Sequence, residues 1–259
     1  MTDMKNNYRH RLAPWIATAA FFILWELACR IFNIDVFILP SPTRVVEALY
    51  ENLDGILVNA AQTLIATLIG FAIAVFFGVI MGLLLGSIRL FYDAMYPLMI
   101  SFNSIPKVAI IPILVIWFGI GTVPAIITAF TLSFFPIVVN VAAGLATIEP
   151  ELKDVLRSLG AHRYQILMKI GLPRSMPYFF AALKISIGLA FIGTVTAETI
   201  ASNSGIGYLM MSASGSFNVP LVFAGLVVVA AMGITMYQIF AKIEKSVTFW
   251  ALRGEDARG

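Results

Sequence analysis

Few side chains in this 259-residue chain could do chemistry, and those few do not converge. His10 and His162 stand 152 positions apart with no acids or thiols clustered around either, so their spacing supports no metal site. Cys29 is the single cysteine, which excludes an internal disulfide and a thiolate zinc site. No Ser/His/Asp arrangement and no paired carboxylates point to hydrolysis. No glycine is followed by lysine, so Gly-x-x-x-x-Gly-Lys-Ser/Thr is missing and any nucleotide must bind a partner. What remains is a few ionisable residues set in apolar sequence, Glu26, Lys107 and Glu198 among them, and one segment, 148–176, that carries eight charged residues.

The composition says why those residues stand out. Hydrophobic residues make up 60% of the chain and charged residues 12%, with a mean hydropathy of +0.92. Soluble domains carry about 25% charged residues, so a water-soluble enzyme, a disordered chain and a nucleic-acid-coating protein are excluded. Three stretches, 55–88, 108–148 and 199–241, hold no Asp, Glu, Lys or Arg. A helix needs about 20 apolar residues to cross roughly 30 Å of hydrocarbon. Breaks at 119–124, 202–205 and 212–220 then predict six spans, near 13–32, 58–86, 95–118, 123–146, 179–200 and 219–241. No ten-residue alternation suggests a barrel. Glu26 stands where a cleavable signal would be apolar, so the first span is expected to stay.

Basic residues orient this bundle. Lys5, Arg9 and Arg11 precede span one, and Arg89 lies between spans two and three. Lys153, Arg157, Arg163, Lys169 and Arg174 lie between spans four and five, while Lys242, Lys245, Arg253 and Arg258 follow span six. All four regions fall on one side, which places both termini in the cytoplasm. The other side has Arg30 and Arg44 against four acids. There Ser41-Pro42 opens an amphipathic segment suited to the outer membrane surface, or to an external partner.

A charge at the bilayer centre costs about 2.5–3.5 kcal/mol on insertion scales, so charges set in apolar sequence must face protein or water. Lys107, between Pro106 and Pro112 in span three, is an attraction for an anionic solute in a pathway or a structural lysine. Glu198, near the outer end of span five, is a gate or proton site, or a cap for the loop at 202–207. Glu26 faces a neighbouring helix. Gly78, Gly82 and Gly86 recur every four residues, which lets another helix approach closely, within the chain or across a seam between copies. The charged segment reads as helix, glycine turn, helix: Glu149-Pro150-Glu151 opens it, Val155, Leu156 and Leu159 line one face, Gly160 breaks it, and Pro173 stops the second helix.

Within that segment Asp154-Val155-Leu156, three residues, Gly160, nine residues, then Ile170-Gly171-Leu172-Pro173 resembles the Glu-Ala-Ala loop of ABC-importer membrane subunits. The spacing from Gly160 to Pro173 matches at every fixed position; only the acid survives of the opening Glu-Ala-Ala. Leu39-Pro40-Ser41-Pro42, Ser104-Ile105-Pro106-Lys107 with Trp117-Phe118-Gly119-Ile120-Gly121, and Ala197-Glu198-Thr199-Ile200-Ala201 with Gly205-Ile206-Gly207 are similar to the nitrate, taurine and aliphatic-sulfonate branch of type I importer permeases. The resemblance covers about 36–250.

That resemblance implies an all-α membrane protein with six transmembrane helices and the type I importer permease fold, in a bacterial inner membrane. It implies a tail at 1–12, the first helix and outer segment at 13–57, a permease core at 58–246 with a coupling loop at 147–176, and a tail at 247–259. Two copies of this chain, two ABC ATPase subunits and an extracytoplasmic binding protein are the expected partners, with no nucleic acid. ATP and Mg belong to the ATPase, and no cofactor to this chain. Asp154, Leu156, Leu159, Gly160, Ile166, Ile170, Leu172 and Pro173 would contact or shape the contact with the ATPase, and the solute would be small and anionic. The rival is a secondary transporter driven by an ion gradient, using Glu26 and Glu198 as ion sites.

Overall fold

A computed structural model of the chain describes residues 2–147 and 150–248. Residues 249–259 of the expected C-terminal tail and the Ile148-Glu149 start of the charged segment lie outside that description, as do the side chains of 1–11, 150, 153 and 163. Eleven α-helices and one π turn account for the regular structure, and no strand occurs among the described residues.

The helices are α1 (Thr2–Ile31), α2 (Pro42–Glu51), α3 (Leu53–Ser87), α4 (Arg89–Ser104), α5 (Lys107–Phe118) and α6 (Thr122–Ala146). Then follow α7 (Pro150–Ser158), α8 (Arg163–Ile166), the π turn Leu167–Gly171, α9 (Leu172–Ala201), α10 (Ile206–Gly215) and α11 (Val219–Val247). Among the described residues five stretches are long and apolar enough to cross a bilayer: 12–31, α3, α6, 164–201 and α11. The third expected span is not a straight helix. Its place is taken by α4 and α5, which meet at 87°. Proline supplies the reason: Pro106 has no N–H, and the residue before it, Ile105, is forced into extended backbone at φ −70°, ψ 127°.

Contacts divide the chain into two units, one of residues 1–58 with 209–228 and one of 59–208 with the chain from Val229 on. In the first, Glu26 of α1 reaches the start of α2, and Trp25 lies 5.9 Å from Phe223. The second holds the main packing. A Cβ on Gly78 would meet Ile137, one on Gly82 would meet Val141 at 2.7 Å, and one on Gly86 would meet Leu145 at 2.8 Å. The glycine row is therefore a seat for α6 within the chain, and the two helices run parallel. Gly144 lies against Ser175, and Gly193 against the Thr128 carbonyl, so α9 runs antiparallel to α6. Several hydroxyls buried in this bundle turn back onto carbonyls four residues earlier, as Thr128 does to Pro124 (2.7 Å) and Ser133 to Ala129 (2.6 Å).

Parallel α3 and α6 impose a condition on what joins them. The chain leaves α3 at one end and must enter α6 at the other, so α4 and α5 together carry it back. Arms of about 24 and 18 Å set at that bend reach about 30 Å end to end, the thickness of the hydrocarbon core.

Candidate coupling surface and broken helix

The charged connector between α6 and α9 begins with α7, whose Asp154 and Arg157 pair at 3.2 Å on its exposed side. Gly160 ends it. Its φ of +82° is a left-handed conformation, and the Ala161 N–H bonds the Leu156 carbonyl at 2.9 Å while the Gly160 N–H bonds that of Arg157 at 3.0 Å. Those two bonds form the six-residue C-terminal closure that a left-handed glycine permits. Two residues on, α8 starts with the Gln165 side chain accepting from the His162 N–H at 2.9 Å, half of a capping box. Instead of stopping at Pro173, the helix continues through the π turn into α9, with Pro173 directly after the widened turn.

This geometry sorts the predicted contact residues. Leu159 is 78% exposed and Val155 54%, with Tyr164 also exposed, so the apolar edge of the knuckle faces outward. Ile166 differs from the expectation: at 8% exposure it is buried instead of offering a surface. Leu156, Leu159, Gly160, Gln165, Ile166 and Ile170 are among the residues lining a cleft of about 310 Å³ in the angle of the knuckle. Leu172 and Pro173 lie at the foot of α9, half-buried.

Lys107 lies at the α4–α5 break and not in the middle of a straight span. Its Nζ donates to the Phe102 carbonyl (3.4 Å), to the Asn103 carbonyl and to Asn103 Oδ1 (3.0 Å). At the far end of α5, the Gly121 N–H bonds the Ala201 carbonyl at 3.0 Å, tying the broken helix to the end of α9.

Glu198 is 4% exposed and works as a cap. Thr63 Oγ1 donates to its carboxylate at 2.8 Å, and the Gly207 N–H donates at 3.0 Å. Thr63 in turn accepts from the Ile206 N–H at 2.8 Å, so α3 and α9 together hold the first turn of α10. A side chain at Gly205 (φ +97°) would strike the same carboxylate. Glu26 does the equivalent for α2: it accepts from the Thr43 N–H at 3.1 Å and from Arg30 Nε at 2.7 Å. No group of three or more potential metal ligands occurs among the described residues.

The sequence profile of the binding-protein-dependent transport system inner membrane component family matches residues 74–249. This chain belongs to that family. The formylaminopyrimidine transport permease of Halalkalibacterium halodurans is 28% identical over 248 residues, covering 95% of this chain and 98% of the relative. The nitrate import permease of Synechocystis sp. is 27% identical over 247 residues, covering 91% and 89%. A solved inward-facing structure of the methionine ABC transporter MetNI matches with a TM-score of 0.61 at 21% identity, covering 81% of this chain and 99% of that one. The fold is thus that of a type I importer permease.

One charged pair in this permease escaped the sequence reading. Lys184 of α9 and Glu244 of α11 meet at 2.5 Å, each about one-fifth exposed. A lysine inside span five and an acid just beyond span six are sixty residues apart, and only antiparallel packing of the two helices reveals the pairing. Its signal was present: an unmatched lysine in a span requires a partner.

Proposed function

We propose that this permease is the pore subunit of an ATP-driven importer, working as a pair of copies on two ABC ATPase subunits, with ATP and Mg bound there. An extracytoplasmic binding protein delivers a small solute; the nitrate relative and the +3 net charge favour an anion. The observation that carries this reading is the knuckle. Its apolar residues Leu159, Val155 and Tyr164 are exposed in a chain that otherwise turns apolar residues toward lipid or its own core, on a segment whose charges put it in water. Closure of the ATPases would press on this edge, with Asp154 and Arg157 at its polar rim.

Motion would pass along the α9 helix, because the π turn and α9 continue from the knuckle without a flexible link. The α4–α5 break is expected to face the water-filled path, since non-helical backbone at membrane depth is tolerated only against protein or water. Glu198 would act on that path indirectly, by fixing α10. The glycine row is occupied by α6, so the seam between copies must use another face. Both termini and the knuckle are assigned to the cytoplasmic side of the bacterial inner membrane by the distribution of Lys and Arg.

Mass spectrometry of what co-purifies with the tagged chain, mildly solubilised from its host, tests the proposal. An ABC ATPase near one-to-one is the expected result. Recovery of the chain alone, with uptake that ionophores abolish, would overturn it in favour of the secondary transporter.

A further inference from the structure

We propose that Lys107 is a positioning residue whose ammonium caps the broken end of α4 and so fixes the bend of the α4–α5 span. In an unbroken helix the N–H of residue 106 would bond the Phe102 carbonyl and that of residue 107 would bond the Asn103 carbonyl. Proline removes the first donor, and the change of direction removes the second. The two carbonyls thereby orphaned are the two that the Lys107 side chain reaches, with Asn103 Oδ1 as the third acceptor. Two of the ammonium's three protons are taken by the Asn103 carbonyl and Oδ1, and the third points to Phe102 O at a longer 3.4 Å.

The charge also sits where a helix favours it. The C-terminus of α4 carries the negative end of the helix dipole. Among the described residues no carboxylate lies within ion-pairing distance of Lys107, so backbone and amide oxygens are its partners. Phe102 O also lies 3.4 Å from the Ile105 N–H, the same distance as from Lys107 Nζ, so these two long contacts share that carbonyl while the lysine's closer bonds go to Asn103. Where water does not reach them, the carbonyls freed by the proline need a donor from within the chain, and the lysine beside it supplies one. A solute anion could recruit this ammonium only by uncapping α4.

The consequence reaches beyond the break. The direction of α5 decides where Gly121 meets Ala201, next to the turn that Glu198 holds. A loosened bend would be felt at the opposite end of α9 from the knuckle. Only this consequence rests on the importer reading; the cap itself does not.

The test measures the bend directly. Spin labels are placed at Leu90 and Ile116, the exposed far ends of α4 and α5, in a Cys29→Ala background. The full chain is diluted with unlabelled copies in phosphatidylethanolamine/phosphatidylglycerol nanodiscs, and intrachain distances are read by pulsed electron resonance. Lys107→Arg and Lys107→Gln keep N–H donors and should keep the parent distribution. Lys107→Met keeps the length and loses every donor. If the bend relaxes by about 15°, the end of an 18 Å arm moves by about 5 Å, and the distribution should shift or broaden accordingly. Asn103→Leu, which removes one acceptor and leaves the lysine, should broaden it less. An unchanged distribution in Lys107→Met, or in Asn103→Leu if the methionine variant fails to insert, would overturn the cap. Equal displacement in Lys107→Arg and Lys107→Met would also overturn it, since N–H donors at this position would then make no difference. No uptake is measured, so loss of the importer reading would leave this result standing.

Discussion

A carboxylate surrounded by apolar helices has to be matched by donors, and Glu198 finds them in a threonine hydroxyl and the backbone of a turn. Removing it strands both donors. Glu198→Ala should therefore lower stability by about 1–3 kcal/mol, and Glu198→Gln by less, because an amide oxygen still accepts from Gly207. Thermal unfolding in mild detergent measures the order. Gly205→Ala belongs in the same series: it combines a left-handed φ with a collision on the carboxylate and should melt well below the parent. Gly188→Ala is the internal control, since nothing lies within 4 Å of its added carbon, and it should be neutral or slightly stabilising. If Gly205→Ala melts with Gly188→Ala, the cap is not what holds this turn. At this scale the sequence announced the charged residues but not their partners. Glu198 could be read as either gate or cap, because the donors come from positions 63 and 207; Ile166 looked like surface because its burial depends on how the knuckle folds.

Elements were more legible where a single residue type controls backbone shape. Gly160 between two amphipathic runs predicts a turn, and a left-handed glycine provides it. The four-residue glycine spacing predicts a close helix contact, although the identity of α6 as the partner could not be read from α3 alone. The third span is present as a bent pair, and the bend lies where Pro106 lacks an N–H, which apolar content alone does not register. The π turn carried no sequence signal: Leu167–Gly171 has ordinary helix formers apart from its last residue. At Gly160 the physics yields a graded prediction. Alanine there must adopt a left-handed φ at a cost of about 1 kcal/mol, so Gly160→Ala should weaken coupling without abolishing it. Gly160→Glu adds a carboxylate to the presented edge and should abolish substrate-stimulated ATPase activity in proteoliposomes, with membrane insertion unchanged. Full coupling in Gly160→Glu would remove the knuckle from the mechanism.

For the whole molecule, the question is which ends of the helices face which compartment. Helices α3 and α6 run parallel and α9 opposes them, so the bent pair must make the return crossing that the span expected near 95–118 implied. The same directions put the knuckle and the 202–205 turn on opposite sides, because α9 joins them. On the distribution of charge the knuckle is expected on the cytoplasmic side, since it carries positive residues that resist translocation. Cysteines at Leu159 and Asn203, both exposed, separate the alternatives with a membrane-impermeant maleimide. The buried Cys29 contributes little background. Asn203→Cys should label in intact spheroplasts and Leu159→Cys only after permeabilisation. The reverse pattern would put the knuckle outside, beyond reach of any cytoplasmic ATPase, and the importer reading would fall with it. That outcome would not restore an ion-coupled transporter by default. Such a carrier needs an intramembrane acid able to exchange its partner, whereas Glu26 and Glu198 each hold the first turn of a short helix in place, and releasing either carboxylate to an ion would unseat α2 or α10.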